Sequence, residues 1–274
     1  MTSFQIVLRA FGLLFGDFKR FLDIAWPWLG ISTLAVYAVE RMRPMPGDVI
    51  ENGLDPLSSL LMVLLPIVHL GALCGFFAKW SRWLVLGEMP AGLALMSFKG
   101  REVKVLLMTI VISMPLAVPL FLFALYFLFG PMQGLTLEPE EAGRNFLAIL
   151  LAGAIGVFFM VRMLFSPILA AFDGTANPLA DSWRLTKGRT GRLFHLMFLA
   201  VAPAYLLEAL VLFALVRFLM ALGVEPGELQ DGAIGAVLLL LTILVNFVLL
   251  ALVMTVQALA LQIFRQEDAS TPPG

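Results

Sequence analysis

The chain has 274 residues, of which 61% are hydrophobic and only 14% are charged, and its mean hydropathy is +0.96. A soluble domain is typically about half apolar and about a quarter charged, so a water-soluble fold of this composition would expose large apolar patches. The net charge of −1 conceals an uneven distribution of basic and acidic residues along the chain. The composition therefore predicts an integral membrane protein, and we expect a single domain over residues 1–274.

Residues 1–21 have the pattern of an amphipathic helix that lies in the membrane interface. Phenylalanine and aliphatic residues recur at spacings of three and four, whereas Arg9, Lys19 and Arg20 occupy other faces. A core helix or a coiled coil is the alternative interpretation of this periodicity. Because Arg9 interrupts the apolar stretch and no small-residue cleavage pattern closes it, we do not expect a cleavable signal peptide.

Six apolar stretches are long enough to cross the hydrocarbon as helices, which takes about 20 residues. They predict an all-α fold with spans at about 22–39, 57–78, 105–129, 146–172, 193–222 and 233–264. Neighbouring helices in a membrane bundle tolerate proline, so prolines in or near these runs predict kinks. These prolines are Pro27, Pro66, Pro115, Pro119, Pro167 and Pro203.

The basic residues between the spans predict the orientation of the bundle. Thirteen of them fall in the N-terminal segment, in the 79–104 and 173–192 connections and in the C-terminal tail, all on one side. The connections on the opposite side carry ten acidic residues and few basic ones. Since cytoplasmic connections are enriched in lysine and arginine, both termini are expected in the cytoplasm of a bacterial inner membrane.

The sequence also shows similarity to itself at a spacing of 88 residues, with the stretch 98–115 matching 186–203. The aligned residues are Lys99, Gly100, Arg101, Lys104 and Pro115 with Lys187, Gly188, Arg189, Arg192 and Pro203, and Gly12 and Pro27 take the glycine and proline positions of an earlier copy. The pattern predicts three tandem hairpins of about 88 residues, each preceded by a cytoplasmic interfacial amphipathic helix. Coincidence is the alternative, because glycine and proline are frequent.

A proline lies ten residues before the glycine in two of these copies, as Pro90 and Pro178. Proline favours the first turn of a helix and glycine favours its end, so a short helix is expected between them. Asn177 is placed as the N-cap of the helix that starts at Pro178.

The segment NPLADSWRLTKGRTGRLF at 177–194 resembles the membrane domain of bacterial glycerophosphodiester phosphodiesterases and the related uncharacterised multi-pass inner-membrane proteins. Their Ser-Trp-x-Leu-Thr-x-Gly pattern corresponds here to Ser182, Trp183, Leu185, Thr186 and Gly188. The stretches at 80–90 and 161–168 share the resemblance. It implies a bacterial inner-membrane setting. It does not imply the phosphodiesterase activity, because in that family the activity resides in a separate soluble barrel.

Few residues have the chemistry of a catalytic or metal site. The common nucleophile, nucleotide and metal motifs are absent from the sequence, which contains two histidines and one cysteine. His69 and His195 are interpreted as hydrogen-bonded structural residues and Cys74 as a small buried hydrophobe. We therefore expect no enzymatic activity and no cofactor.

Arg162 and Glu208 are the most informative charges within the predicted spans, because a charge at mid-bilayer costs on the order of 3 kcal/mol. They lie on consecutive antiparallel spans at comparable depth, which predicts a structural ion pair; a transport relay is the alternative. Asn246, Gln257 and Gln262 on the last span are expected to form interhelical hydrogen bonds, with a pore lining as the alternative.

Basic residues near tryptophan predict contacts with anionic lipid headgroups, although ordinary topology determinants would look the same. The candidates are Lys99, Arg101, Lys104, Arg184, Lys187, Arg189 and Arg192. The sequence thus favours a non-enzymatic membrane protein that interacts with lipid or organises the membrane. Its expected partner is the phospholipid bilayer, including anionic lipids, with no nucleic acid; a protein partner is not specified. The alternatives are a transporter or channel using Arg162, Glu208 and His69, and a membrane subunit of a catalytic partner.

Overall fold

A computed structural model describes residues 2–42, 56–89, 97–129, 139–172, 176–221, 223 and 232–270. These residues form helices and connecting turns, with no strand among them, which confirms the all-α prediction. The helices are α1 Ser3–Gly16, α2 Phe18–Met42, α3 Pro56–Leu86, α4 Gly100–Phe129, α5 Pro139–Arg162, α6 Ser166–Ala171, α7 Pro178–Thr186, α8 Thr190–Ala221 and α9 Gly232–Ser270.

Six segments of the described chain are helical, long and apolar enough to cross a membrane, as the sequence predicts. They are Phe18–Met42, Pro56–Leu86, Gly100–Phe121, Leu147–Ala171, Thr190–Ala221 and Ile234–Ser270. Several extend beyond the predicted boundaries; α3, for example, continues to Leu86 rather than ending near residue 78. The extension contains Lys79, the first charge after the apolar run, which pairs with a carboxylate of α4.

The fourth span is interrupted rather than kinked. Residues 163–165 form a turn between α5 and α6, and Pro167 lies in the first turn of α6. Proline lacks an N–H group and its ring clashes with the carbonyl four residues earlier, here that of Met163, which accounts for an interruption before Pro167. The other five prolines expected to cause kinks lie inside the helices α2, α3, α4 and α8.

Helices that follow each other in sequence pack as hairpins: α2 with α3, α4 with α5, and α8 with α9. The last helix, α9, also contacts α2 and α3, and α1 packs across α8 and α9. Thr2 and Gln5 begin α1 with a reciprocal capping box. One face of α1 is buried at Ile6, Ala10 and Leu14.

The buried core is concentrated at one end of the bundle, where the side chains at 74–81, 164–172 and 254–261 are buried. Trp80 lies at its centre, and its indole N–H donates to the Ala251 carbonyl and the Thr255 hydroxyl, both at 3.2 Å. We call this the basic end because it carries Lys79, Arg82, Lys99, Arg101, Arg184, Arg189 and Arg192. Away from it the helices expose large apolar side chains such as Phe121 and Phe213, as lipid contact requires.

Candidate functional site at the basic end

The helix α7 docks on the interruption of the fourth span. Ser182 Oγ donates to the Arg162 carbonyl and accepts from the Phe165 N–H, both at 3.1 Å. Thr186 Oγ1 donates to the same carbonyl at 2.9 Å. Backbone groups freed by a break in a membrane helix must find other partners, and these two hydroxyls supply them.

This docking joins two stretches that are separated in the sequence. Ser182 and Thr186 come from the Ser-Trp-x-Leu-Thr segment, and their backbone partners come from the stretch at 161–168. The predicted boundaries of α7 are confirmed. The Asn177 side chain accepts from the Ala180 N–H, and Gly188 lies just after the helix with a φ of +76°.

Arg162 is buried beside Trp183. The guanidinium carbon lies 4.2 Å from the centre of the indole ring, and the arginine is only 6% exposed. Trp183 is held in turn by ring contacts with Phe158 and Phe159. Arg162 Nε is buried without a hydrogen-bond partner. The cation is thus stabilised by the indole face rather than by an acidic side chain of the described chain.

Glu208 lies elsewhere, on the wall of an apolar cavity of about 270 Å³ between α1, α8 and α9, where Phe11, Leu14 and Leu252 are among its neighbours. The structure does not bring Glu208 and Arg162 together, and no ion pair joins these two described residues. An ion pair between them requires one continuous helix from Arg162 to the end of the span. The turn at 163–165 interrupts that helix, and Arg162 lies against α7 instead.

Glu102, which the sequence argument overlooked, forms a buried ion pair. Its carboxylate accepts from Lys79 Nζ at 2.7 Å and from the Lys99 N–H at 2.8 Å, and its side chain is 1% exposed. The sequence does carry a signal for Glu102, because it lies in the first turn of α4, where an acidic side chain is favoured. Lys79 also lines a cavity of about 380 Å³ together with Arg82, Glu88 and Arg101.

Arg189 and Arg192 hold the end of α9. Arg189 binds Asp268 at 2.7 Å, Arg192 binds Glu267 at 2.9 Å, and both guanidinium groups lie over the Phe264 ring. These two predicted headgroup contacts therefore have acidic partners within the chain. Among the other candidates, Lys99, Arg184 and Lys187 are exposed, Arg184 in an ion pair with Asp181, whereas Arg101 and Lys104 are half-buried.

His69 and Cys74 lie as the sequence predicts. The His69 ring shares a hydrogen bond of 2.5 Å with Ser32 across α2 and α3, and Cys74 is buried. His195 is exposed on α8.

The three polar residues of the last span that are predicted to bond between helices differ in their surroundings. Gln257 reaches Met197 Sδ on α8 at 3.9 Å. Asn246, by contrast, donates to a carbonyl of its own helix, and Gln262 is exposed.

We found no family model, no curated protein and no solved structure that matches this chain. Over the described ranges, no three histidine, cysteine, aspartate or glutamate side chains are grouped as a metal ion would need. The basic end remains the part of the described chain where charged, aromatic and buried polar groups converge. Its chemistry is that of a cationic surface beside apolar helix walls.

Proposed function

We propose that this chain is a non-enzymatic multi-pass protein of a bacterial inner membrane that binds anionic phospholipid at its basic end and so organises the surrounding bilayer. Both termini lie in the cytoplasm in this proposal. The observation that carries it is the placement of exposed cations at Lys99, Arg184 and Lys187 where six apolar helices reach their most tightly packed end. Basic residues at a membrane surface attract anionic lipid by about 1 kcal/mol each.

The exposed face of α1 supports the proposal. Opposite the buried side chains, α1 exposes Phe4, Leu8 and Phe15, each at least 55% accessible, together with Arg9. A helix with exposed phenylalanines and a cation is suited to the boundary between headgroups and acyl chains. In the proposal α1 is therefore an interfacial helix that docks on α8 and α9.

The spacing of the buried stretches supports three tandem hairpins. The stretches at 74–81, 164–172 and 254–261 begin ninety residues apart, close to the 88-residue spacing of the sequence. Each belongs to the second span of a hairpin, while Pro27, Pro115 and Pro203 each lie inside the first. In the proposal the second spans form the centre of the bundle and the preceding short helices lie at the cytoplasmic surface. The short helix expected after Pro90 lies outside the described residues.

The resemblance to the membrane domain of bacterial glycerophosphodiester phosphodiesterases belongs to the same proposal. The residues that carry it have a structural role here, since Ser182 and Thr186 bind the backbone of an interrupted span. A role of this kind positions α7 and its basic residues at the membrane surface. It requires no catalytic group.

We expect the full-length protein to concentrate phosphatidylglycerol over phosphatidylcholine in its lipid shell. Spin-labelled lipids in reconstituted membranes measure this ratio directly. The double variant Lys99→Gln/Lys187→Gln should lower the ratio at least about threefold at low ionic strength, and high salt should do the same to the wild type, because these surface charges are screened.

The matched control is Arg41→Gln/Arg217→Gln, which removes two charges from the helix ends α2 and α8 away from the basic end. Its ratio should stay close to that of the wild type. Equal association of the wild type with both lipids at low salt would overturn the proposed function.

A further inference from the structure

An open groove of about 490 Å³ runs between α5 and α8, next to the buried arginine. Apolar side chains line it, including Val157, Phe158 and Phe194, together with Thr190 and Gly191 at the start of α8. Its α5 wall extends from Val161 back to Ala154, about 10 Å along the helix toward the middle of the span. These dimensions and this lining suit a lipid acyl chain rather than a polar solute.

Arg162 directly follows Val161, the residue of the α5 wall that is closest to the basic end. It follows Phe158 by four residues, so the two side chains are neighbours on one face of α5. Helical side chains lean toward the N-terminus of their helix, which directs Arg162 back over the turn that carries Phe158. The indole of Trp183 contacts both the guanidinium and the Phe158 ring and so joins the cation to the groove wall.

The charge of Arg162 is not balanced within the described chain. Nearby Asp181 is paired with Arg184, while Glu267 and Asp268 are paired with Arg189 and Arg192. Arg162 itself has an indole face as a partner and a buried Nε without one. A buried cation without a hydrogen-bonded anion is costly, and a guanidinium matches a phosphodiester in geometry as well as in charge.

We propose that this groove is a specific site for one anionic phospholipid, with its phosphate at Arg162 and an acyl chain along Val161, Phe158 and Ala154. This inference rests on the proposed lipid-binding function and gives it a defined site. The lipid completes the ion pair that Arg162 lacks among the described residues, and its acyl chain covers the open side of the groove. Trp183 positions the guanidinium at the level of the headgroup.

Gly191 provides a way to close the groove without disturbing the fold. A Cβ atom built on Gly191 meets no atom within 4 Å, and the residue is exposed where it lines the groove. Gly191→Leu therefore places a side chain in the lipid's position. Gly30→Leu is the matched control, because Gly30 is also an exposed helical glycine with open space around it, on α2.

The test uses the full-length protein, purified in mild detergent from membranes containing phosphatidylglycerol and phosphatidylcholine in equal amounts. Native mass spectrometry at high salt counts the lipids retained per chain. We expect one phosphatidylglycerol on the wild type and on Gly30→Leu, at least tenfold less on Gly191→Leu, and at least a tenfold loss of preference over phosphatidylcholine in Arg162→Gln.

Retention of the same phosphatidylglycerol by Gly191→Leu would overturn the site, and this holds even if Arg162→Gln fails to fold. The result is separable from that for the proposed function. A salt-sensitive preference in the lipid shell without a retained lipid contradicts the groove alone, whereas loss of both contradicts the two proposals together.

Discussion

Replacing Lys79 with methionine is expected to destabilise the protein more than any other single charge removal among the described residues. The substitution leaves the Glu102 carboxylate 1% exposed and without its cation. Breaking a buried pair in this way typically costs about 3–5 kcal/mol, because an uncompensated charge stays in a medium of low dielectric. The melting temperature of the detergent-solubilised protein should fall by roughly 10 °C, measured as the temperature at which the monodisperse fraction is lost.

Two further variants distinguish the effect of breaking the ion pair from the effect of losing a basic side chain. In Lys79→Met/Glu102→Gln the amide oxygen still accepts from the Lys99 N–H and no charge is buried, so most of the lost stability should return. Arg184→Met removes an exposed cation whose partner is Asp181, and it should cost less than about 1 kcal/mol. A double variant as unstable as Lys79→Met would contradict the account of the pair.

The second large effect is expected from Gly156→Ala, at the contact between α4 and α5. A Cβ atom at Gly156 would lie 2.3 Å from the carbonyl oxygen of Pro115 and 2.8 Å from its carbonyl carbon. Backbone atoms cannot move aside as a flexible side chain does, so the two helices must separate. Membrane helices depend on such close approaches at small residues, and overpacking costs about 1–3 kcal/mol.

Gly153→Ala on the same helix is the control, since a Cβ atom there meets nothing within 4 Å. The melting temperature in detergent should fall by roughly 5 °C for Gly156→Ala. For Gly153→Ala it should stay the same or rise, because alanine favours the helix more than glycine does. Equal stability of the two variants would show that α4 and α5 do not pack through this glycine.

The sequence predicts the number of spanning helices because lipid imposes a minimum apolar length on each one. The start of α7 was also predictable, since Asn177 and Pro178 act through local backbone geometry. The interruption at 163–165 was not, because its hydrogen bonds come from Ser182 and Thr186, about twenty residues further along the chain. A hydropathy average does not detect this turn, because its residues are themselves apolar.

The partners of the charged residues required knowledge of the packing. Distance along a helix gives the depth of a residue, but it gives neither the direction of the side chain nor the neighbouring helix. The sequence therefore predicts that Arg162 faces Glu208, whereas it lies on Trp183. Lys79 and Glu102 lie 23 residues apart along the chain, and the contact between α3 and α4 brings them together.

The orientation of the basic end is tested most directly by the accessibility of single cysteines in intact cells. Cys74 is first replaced by alanine, and cysteine is then introduced at Ser270, at the end of α9, or at Asp48, in the connection between α2 and α3. A membrane-impermeant maleimide added to spheroplasts should label Asp48→Cys at once and Ser270→Cys only after the membrane is permeabilised. Labelling of Ser270→Cys in intact spheroplasts, with Asp48→Cys protected, would contradict a cytoplasmic basic end.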